Sequence, residues 1–374
     1  MKILFNVPAV CANELENLEK VIQAKKFSGN GEFTKKCHKF FTALYGIPNL
    51  LTTSCTDALE MAAILSDIKV DDEVILPSYT FVSTANAFAL RGANLVFCDS
   101  RKDHPGIDED LIEALITPKT KAIVVVHYAG IATDMDKVLA ISQKHNLYVI
   151  EDAAQAIDSH YRDKPLGTLG HFGTFSFHET KNITCGEGGL LLVNNKDDFK
   201  RAEIIWEKGT NRSSFFRGEA DKYGWVDIGS SFLPSEFNAA VLFAQLENME
   251  KIQNKRKVVW NRYNEFFTAM NFEGVQLPSI PEYASNNAHM YYIVLSNAEQ
   301  RENLIAHLKE KGILAVFHYQ SLHKSKYFEN KHDGRNLSLS DYYTDCLLRL
   351  PLFYDLTEEE QEYILANIKL FFKR

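Results

Sequence analysis

Residues 122–155, AIVVVHYAGIATDMDKVLAISQKHNLYVIEDAAQ, decide the fold class. Ala122–Val126 is a β-branched run too short for a helix, and Tyr148–Ile150 is a second one. Between them Asp134–His145 has the length and apolar spacing of a helix. Strand, helix and strand in so few residues form a crossover unit, whose two strands must run parallel. The alternation extends towards the amino terminus, where Glu73–Leu76 and Asn94–Cys98 read as buried strands and Asp57–Ser66 and Thr84–Leu90 as helices. The reading is therefore α/β, a mainly parallel sheet with helices on both faces. Such folds bind ligands at the carboxyl ends of their strands. That points to residues 77–81 (PSYTF), 127–130 (HYAG) and 151–155 (EDAAQ), all rich in polar and aromatic types.

Further along, Phe172–Phe177 alternates like a strand and Leu190–Val193 forms another, with a polar, glycine-containing loop between them that carries Lys181. Asn238–Arg262 reads as one long helix closing the large domain. Beyond it the pattern changes to a strand at His289–Leu295, a helix at Arg301–Lys311, a strand at Ile313–Phe317 and a helix from Glu358, which opens with a Thr357/Glu360 capping box. The expected organisation is a large domain, 1–250, and a small C-terminal α+β domain, 251–374.

The length, 374 residues, agrees with two domains at about 150 residues each. A hydrophobic share of 45% with 24% charged residues describes a chain that buries a large core, which excludes disorder. The formal charge is −8 with no dense basic block, so nucleic acid is not an expected partner. Six scattered cysteines form no C-x-x-C pair and read as free thiols. Met1–Val10 holds only a short apolar stretch broken by Pro8, too brief for a signal peptide or a membrane span. The expectation is a cytoplasmic protein without a membrane partner.

Three positions suggest chemistry. Lys181, walled by Phe175, Phe177 and nearby glycines, would be partly desolvated, which lowers an amine's pKa and makes it a nucleophile or base. Taken alone it reads more readily as a solvated loop lysine, since most lysines are solvated. Asp152 directly follows a strand, where a carboxylate can pair with a protonated ring nitrogen; a helix N-cap is the other reading. Thr53-Ser54-Cys55-Thr56 ends a short strand and opens a helix, so its amides and hydroxyls can hold a phosphate, or can simply cap. A lysine, a carboxylate, a phosphate cup and an aromatic lid together are what pyridoxal phosphate requires. No dinucleotide or P-loop glycine pattern competes with it.

The runs 76–87 (LPSYTFVSTANA), 126–130 (VHYAG), 151–155 (EDAAQ), 175–182 (FSFHETKN), 207–212 (EKGTNR) and 315–319 (AVFHY) carry a resemblance. Through them the chain resembles, over essentially its whole length, the sugar-nucleotide aminotransferases of the DegT/StrS type, pyridoxal phosphate enzymes of fold type I. The resemblance implies that Lys181 attaches the cofactor and moves the proton, and that Asp152 partners the pyridine nitrogen. It implies that Phe81 stacks on the ring, Gln155 lies near the ring oxygen, and Cys55, Thr56 and Ser176 hold the phosphate. Many relatives place an asparagine from the neighbouring subunit on that phosphate, where this chain has Ser231; a serine reaches less far, so a water bridge can replace the direct bond. His318 and Tyr319, and less strongly His323, are expected near the sugar or nucleotide, with packing as the alternative, and Lys25–Gly31 near the same site. The implied reaction moves the amino group of L-glutamate to C4 of dTDP-4-keto-6-deoxyglucose, in a homodimer with shared active sites. The galacto product is preferred; the gluco epimer, amination at C3 and a non-catalytic cofactor-binding regulator are the alternatives. Related dehydratases carry a histidine in place of the lysine, and Lys181 speaks against that chemistry.

Overall fold

The computed structural model describes residues 1–373. Seven strands form the main sheet: β1 (Asn49–Thr52), β2 (Glu73–Pro77), β3 (Asn94–Cys98), β4 (Thr120–Val126), β5 (Tyr148–Asp152), β6 (Phe172–Ser176) and β7 (Gly189–Val193). They lie in the order β1-β7-β6-β5-β4-β2-β3. Only β7 is antiparallel to its neighbours, β1 and β6. Pairings β2–β3, β2–β4, β4–β5 and β5–β6 are all parallel, so the sheet is mainly parallel as expected.

Successive residues of one strand feed opposite cores, which is why these strands read as unbroken apolar runs. In β4, Ile123 and Val125 face one core while Ala122 and Val124 face the other; in β7, Leu190 and Leu192 face the first and Leu191 and Val193 the second. Helices cover both faces, Glu32–Tyr45 and Glu236–Glu247 on one, Cys55–Leu65 and Phe199–Trp206 on the other. A third core joins Trp260, Tyr263, Leu304, Leu308 and Ile364 to a two-stranded antiparallel sheet, β8 (Tyr291–Val294) with β9 (Leu347–Leu350).

Two expectations fail. Asn238–Arg262 is not one helix but the end of Glu236–Glu247 and the start of Met249–Met270. At the junction Asn248 leaves helical geometry and its side-chain amide donates to the Ala244 carbonyl at 2.8 Å, a local bond that competes with the helix. Ile313–Phe317 is not a strand either. It makes only isolated bridges, Ile3 with Ile313 and Val316 with Arg349, because no neighbour runs alongside for its full length. The Thr357/Glu360 capping box forms in both directions. No helix among the described residues is long and apolar enough to cross a membrane.

Candidate active site

The carboxyl ends of β1, β2, β4, β5 and β6 open on one edge of the sheet, where a cavity of about 500 Å³ lies against residues from β8, β9 and the 315–319 segment. Asp152 ends β5 on its floor and is 5% exposed. It caps no helix, since none follows it. One carboxylate oxygen accepts from Thr84 Oγ1 at 2.7 Å and the other from the Ala154 amide at 3.1 Å. Burial pushes its pKa up, while these bonds and the nearby Lys181 pull it back. Lys181 lines the same cavity, and its ammonium is pushed below the ordinary lysine range chiefly by burial, against the pull of Cys55 and Asp152. The desolvated-amine reading therefore prevails over the solvated one.

The loop that carries Lys181 is fixed from the residue after it. Asn182 is buried and donates to Gln253 Oε1 at 2.8 Å and to the Asn287 carbonyl at 2.9 Å, while its own oxygen meets His289 Nδ1 at 2.8 Å. His289 also lines the cavity.

An anion site faces this floor. Ser54 caps the helix Cys55–Leu65 by accepting from the Asp57 amide, which leaves the first-turn amides of Cys55 and Thr56 free of intrahelical partners. Thr56 Oγ1 lies 2.8 Å from Ser83 Oγ, and Ser176, at the end of β6, lines the same cavity. The turn can sit there because β7 begins with glycine. A Cβ on Gly189 would stand 2.4 Å from the Ser54 carbonyl and 2.5 Å from the Cys55 amide nitrogen. The ring of Phe81 lines the cavity yet is 53% exposed, an apolar face available to a flat ligand.

On the other wall Gln155 accepts from the Ala129 amide at 2.6 Å and donates to Tyr319 Oη at 2.9 Å. Tyr319 stacks on His318 at 3.6 Å between ring centroids, and His318 Nδ1 meets Tyr128 Oη at 2.6 Å. Burial holds the His318 and His289 imidazoles well below the usual histidine pKa, so both are neutral at pH 7.

Lys181, Asp152, Cys55, Thr56, Phe81, Gln155, Ser176, His318 and Tyr319 thus share one cavity. Ser231 does not join them within one chain. It is exposed and lies in a separate cleft with Lys26, Gly29, Asn30, Lys208 and Arg212. His323 is also elsewhere, buried with Nδ1 2.7 Å from Ser78 Oγ, a packed side chain. Cavity residues to which the sequence reading gave no role include Ser83, His289 and Arg349. A lone arginine inside the apolar run 347–350 (LLRL) was the one available signal for Arg349. The donor set fits pyridoxal phosphate: hydroxyls and helix amides for the phosphate, a buried carboxylate for a pyridinium, a desolvated lysine for the aldehyde and an exposed ring for stacking.

Comparison with solved structures agrees. The aminotransferase TlmJ from Streptoalloteichus hindustanus superposes with a TM-score of 0.92 at 25% identity, over 100% of this chain and 99% of the other. A DegT DnrJ EryC1 StrS aminotransferase from Brucella abortus gives 0.87 at 28% identity, over 97% and 96%. PseC from Helicobacter pylori, an aminotransferase involved in the biosynthesis of pseudoaminic acid, shares the fold with 0.91 at 23% identity, over 100% of both chains. Sugar aminotransferases of this kind use pyridoxal phosphate. Residues 8–369 match the model of the DegT/DnrJ/EryC1/StrS aminotransferase family, and the chain belongs to that family.

Proposed function

We propose that the chain transfers the amino group of L-glutamate to the C4 ketone of dTDP-4-keto-6-deoxyglucose, giving the 4-amino-4,6-dideoxygalactose nucleotide. The observation that carries the reading is the desolvated Lys181 sharing one cavity with the buried Asp152 and the amino end of the Cys55–Leu65 helix. When bound there, pyridoxal phosphate supplies an electron sink for charge developing at the donor α-carbon and holds the amino group between the two half-reactions. Asp152 keeps a proton on the ring nitrogen by charge-assisted hydrogen bonding. Lys181, once displaced by the donor, takes the proton from the donor α-carbon and later returns one to sugar C4. Its depressed pKa keeps a neutral amine accessible for that transfer. Cys55, Thr56 and Ser176 hold the phosphate, Phe81 stacks on the ring, Gln155 orients its oxygen side, and His318 and Tyr319 contact the sugar nucleotide.

The active form in this reading is a homodimer in which Ser231 of each subunit completes the phosphate site of the other. Its exposure and its place outside the Lys181 cavity support this. So does the apolar surface nearby, where Phe216 is 72% and Trp225 84% exposed. Purified protein incubated with pyridoxal phosphate, L-glutamate and dTDP-4-keto-6-deoxyglucose tests the proposal by proton NMR of the product. An axial C4 amine is expected. An equatorial amine gives the gluco epimer, and no amino sugar from this substrate overturns the proposal.

A further inference from the structure

The proton of the His289 imidazole is placed by a chain of buried amides that starts at a carboxylate. Asp158 can only accept, and Gln253 Nε2 donates to its Oδ2 at 3.2 Å. That turns Gln253 Oε1 towards Asn182, whose Nδ2 donates to it at 2.8 Å and to the Asn287 carbonyl at 2.9 Å. Asn182 Oδ1 is left facing His289 Nδ1 at 2.8 Å, and an amide oxygen can only accept. The proton therefore sits on Nδ1. Asn287 holds the same arrangement from the backbone. Its Nδ2 donates to the Gln155 and Ile157 carbonyls, so its Oδ1 accepts from the His289 amide at 3.0 Å.

A neutral imidazole with its proton on Nδ1 carries a bare lone pair on Nε2. No group among the described residues donates to that nitrogen, although the ring is only 7% exposed and lines the cavity of Lys181. The ring is neutral chiefly because it is buried. The charges that face it, Lys181 from its loop, Arg256 from the helix Met249–Met270 and Arg349 from β9, all oppose a second proton. Lys181 itself is faced by Cys55, Asp152 and Arg349. Asp152 already accepts from Thr84 and Ala154, and burial pushes the Cys55 thiol up, so it stays protonated. A buried acceptor without a donor is destabilising, and the Lys181 amine is a donor within the same cavity.

We infer that His289 is a positioning residue for Lys181: its Nε2 accepts a hydrogen bond from the displaced amine, and from the ammonium formed once that amine has taken a proton. The bond leaves the amine's lone pair free for the donor α-carbon and steadies the charge that Lys181 carries between the two proton transfers. The transferred proton stays on Lys181 throughout, and His289 keeps its own proton on Nδ1, held by Asn182. The inference rests on the reading of Lys181 as the proton carrier. It gives the buried chain from Asp158 to Asn182 a task beyond fixing the loop, that of presenting an acceptor to the reacting amine.

Two variants separate this task from loop anchoring. In His289→Asn the amide can still donate to Asn182 from the place of Nδ1 but nothing reaches the place of Nε2; in His289→Gln the longer side chain brings an amide oxygen to the place of Nε2 and gives up the Asn182 bond. The full-length apo-protein is labelled with trace acetic anhydride across pH, and peptide mass spectrometry follows the modification of Lys181. An acceptor favours the ammonium, so its loss in His289→Asn should move the Lys181 labelling midpoint to lower pH, while His289→Gln stays near wild type. With the holoenzyme, single-turnover absorbance should show the limiting rate of the glutamate half-reaction about 3- to 10-fold lower in His289→Asn, the effect of one hydrogen bond. Half-saturating glutamate should be unchanged, and His289→Gln should recover most of the rate. His289→Gln carries the test if the asparagine variant does not fold. A wild-type midpoint and rate in His289→Asn, a loss in His289→Gln as large as in His289→Asn or larger, or an effect confined to half-saturating glutamate overturns the inference. If wild-type protein aminates no keto sugar yet the labelling midpoint shifts in His289→Asn, the functional proposal fails while the positioning role stands.

Discussion

Replacing Asp152 with asparagine separates what this carboxylate does for the reaction from what it does for the fold. The substitution preserves shape, and the local bonds can be remade. The amide oxygen can still accept from the Ala154 amide, now 3.1 Å from Oδ1, and the new NH2 can donate to Thr84 Oγ1, now 2.7 Å from Oδ2. The Thr84 hydroxyl can then turn its proton to Thr80 Oγ1, 2.9 Å away. What disappears is the negative charge that the proposed function sets opposite the ring nitrogen. A charge-assisted bond of this type contributes about 1.5 to 3 kcal/mol. If that difference is felt in the transition state, the rate of the glutamate half-reaction falls about 10- to 100-fold. Stability should move the other way. Burial raises the Asp152 pKa above its unfolded value, so the folded apo-protein binds a proton more tightly than the unfolded chain does. Its contribution to stability is present at acid pH and is lost as pH rises through the raised pKa. The apo-form of Asp152→Asn is therefore expected to melt at or above the wild-type temperature at neutral pH, with the gap closing as pH falls towards 4. Stopped-flow absorbance with L-glutamate and thermal melts across pH check both halves. A variant that converts its cofactor at the wild-type rate would refute the assigned role.

Lys181→Ala should abolish turnover while circular dichroism stays that of the wild type; substantial residual amination removes the lysine from the mechanism. Gly189→Ala should weaken cofactor binding and lower stability by about 1 to 3 kcal/mol, because the new methyl meets the Ser54 and Cys55 backbone at about 2.4 Å; urea melts and cofactor titration measure the two effects. Glu236→Ala should cost about 2 kcal/mol or more, since its carboxylate accepts from the amides of Gly31, Phe33 and Thr34 and from the Thr34 hydroxyl, tying two helices together. Sedimentation should find a dimer that loses specific activity on dilution, and a fully active monomer would remove Ser231 from the shared site.

The elements that the sequence made legible are those whose signal is local. Strands β2, β4, β5 and β7 alternate their residues between two cores, so each is a continuous apolar run, and the parallel strands β2, β4 and β5 are each followed by a polar turn at the same edge of the sheet. Lys181, Asp152 and Thr56 could be picked out because each lies within a few residues of such a run. Arg349 could not. Its strand pairs with β8, where Arg349 stands opposite Tyr292, 57 residues earlier, and its place in the cavity depends on walls supplied by other elements.

 Pairing over such a span leaves no trace in a short sequence window. Asn248 and the 313–317 segment fail for a related reason: an apolar period continues through both, and only a side-chain bond in one case and the absence of a full-length neighbour in the other decide the outcome.

The central claim is that Lys181 is the residue that bears the cofactor. Reducing the holoenzyme with borohydride fixes the cofactor to its lysine, and mass spectrometry of the peptides then locates it. The account predicts the label on the peptide containing Lys181 and its loss in Lys181→Ala. Stoichiometric label on any other lysine would contradict it.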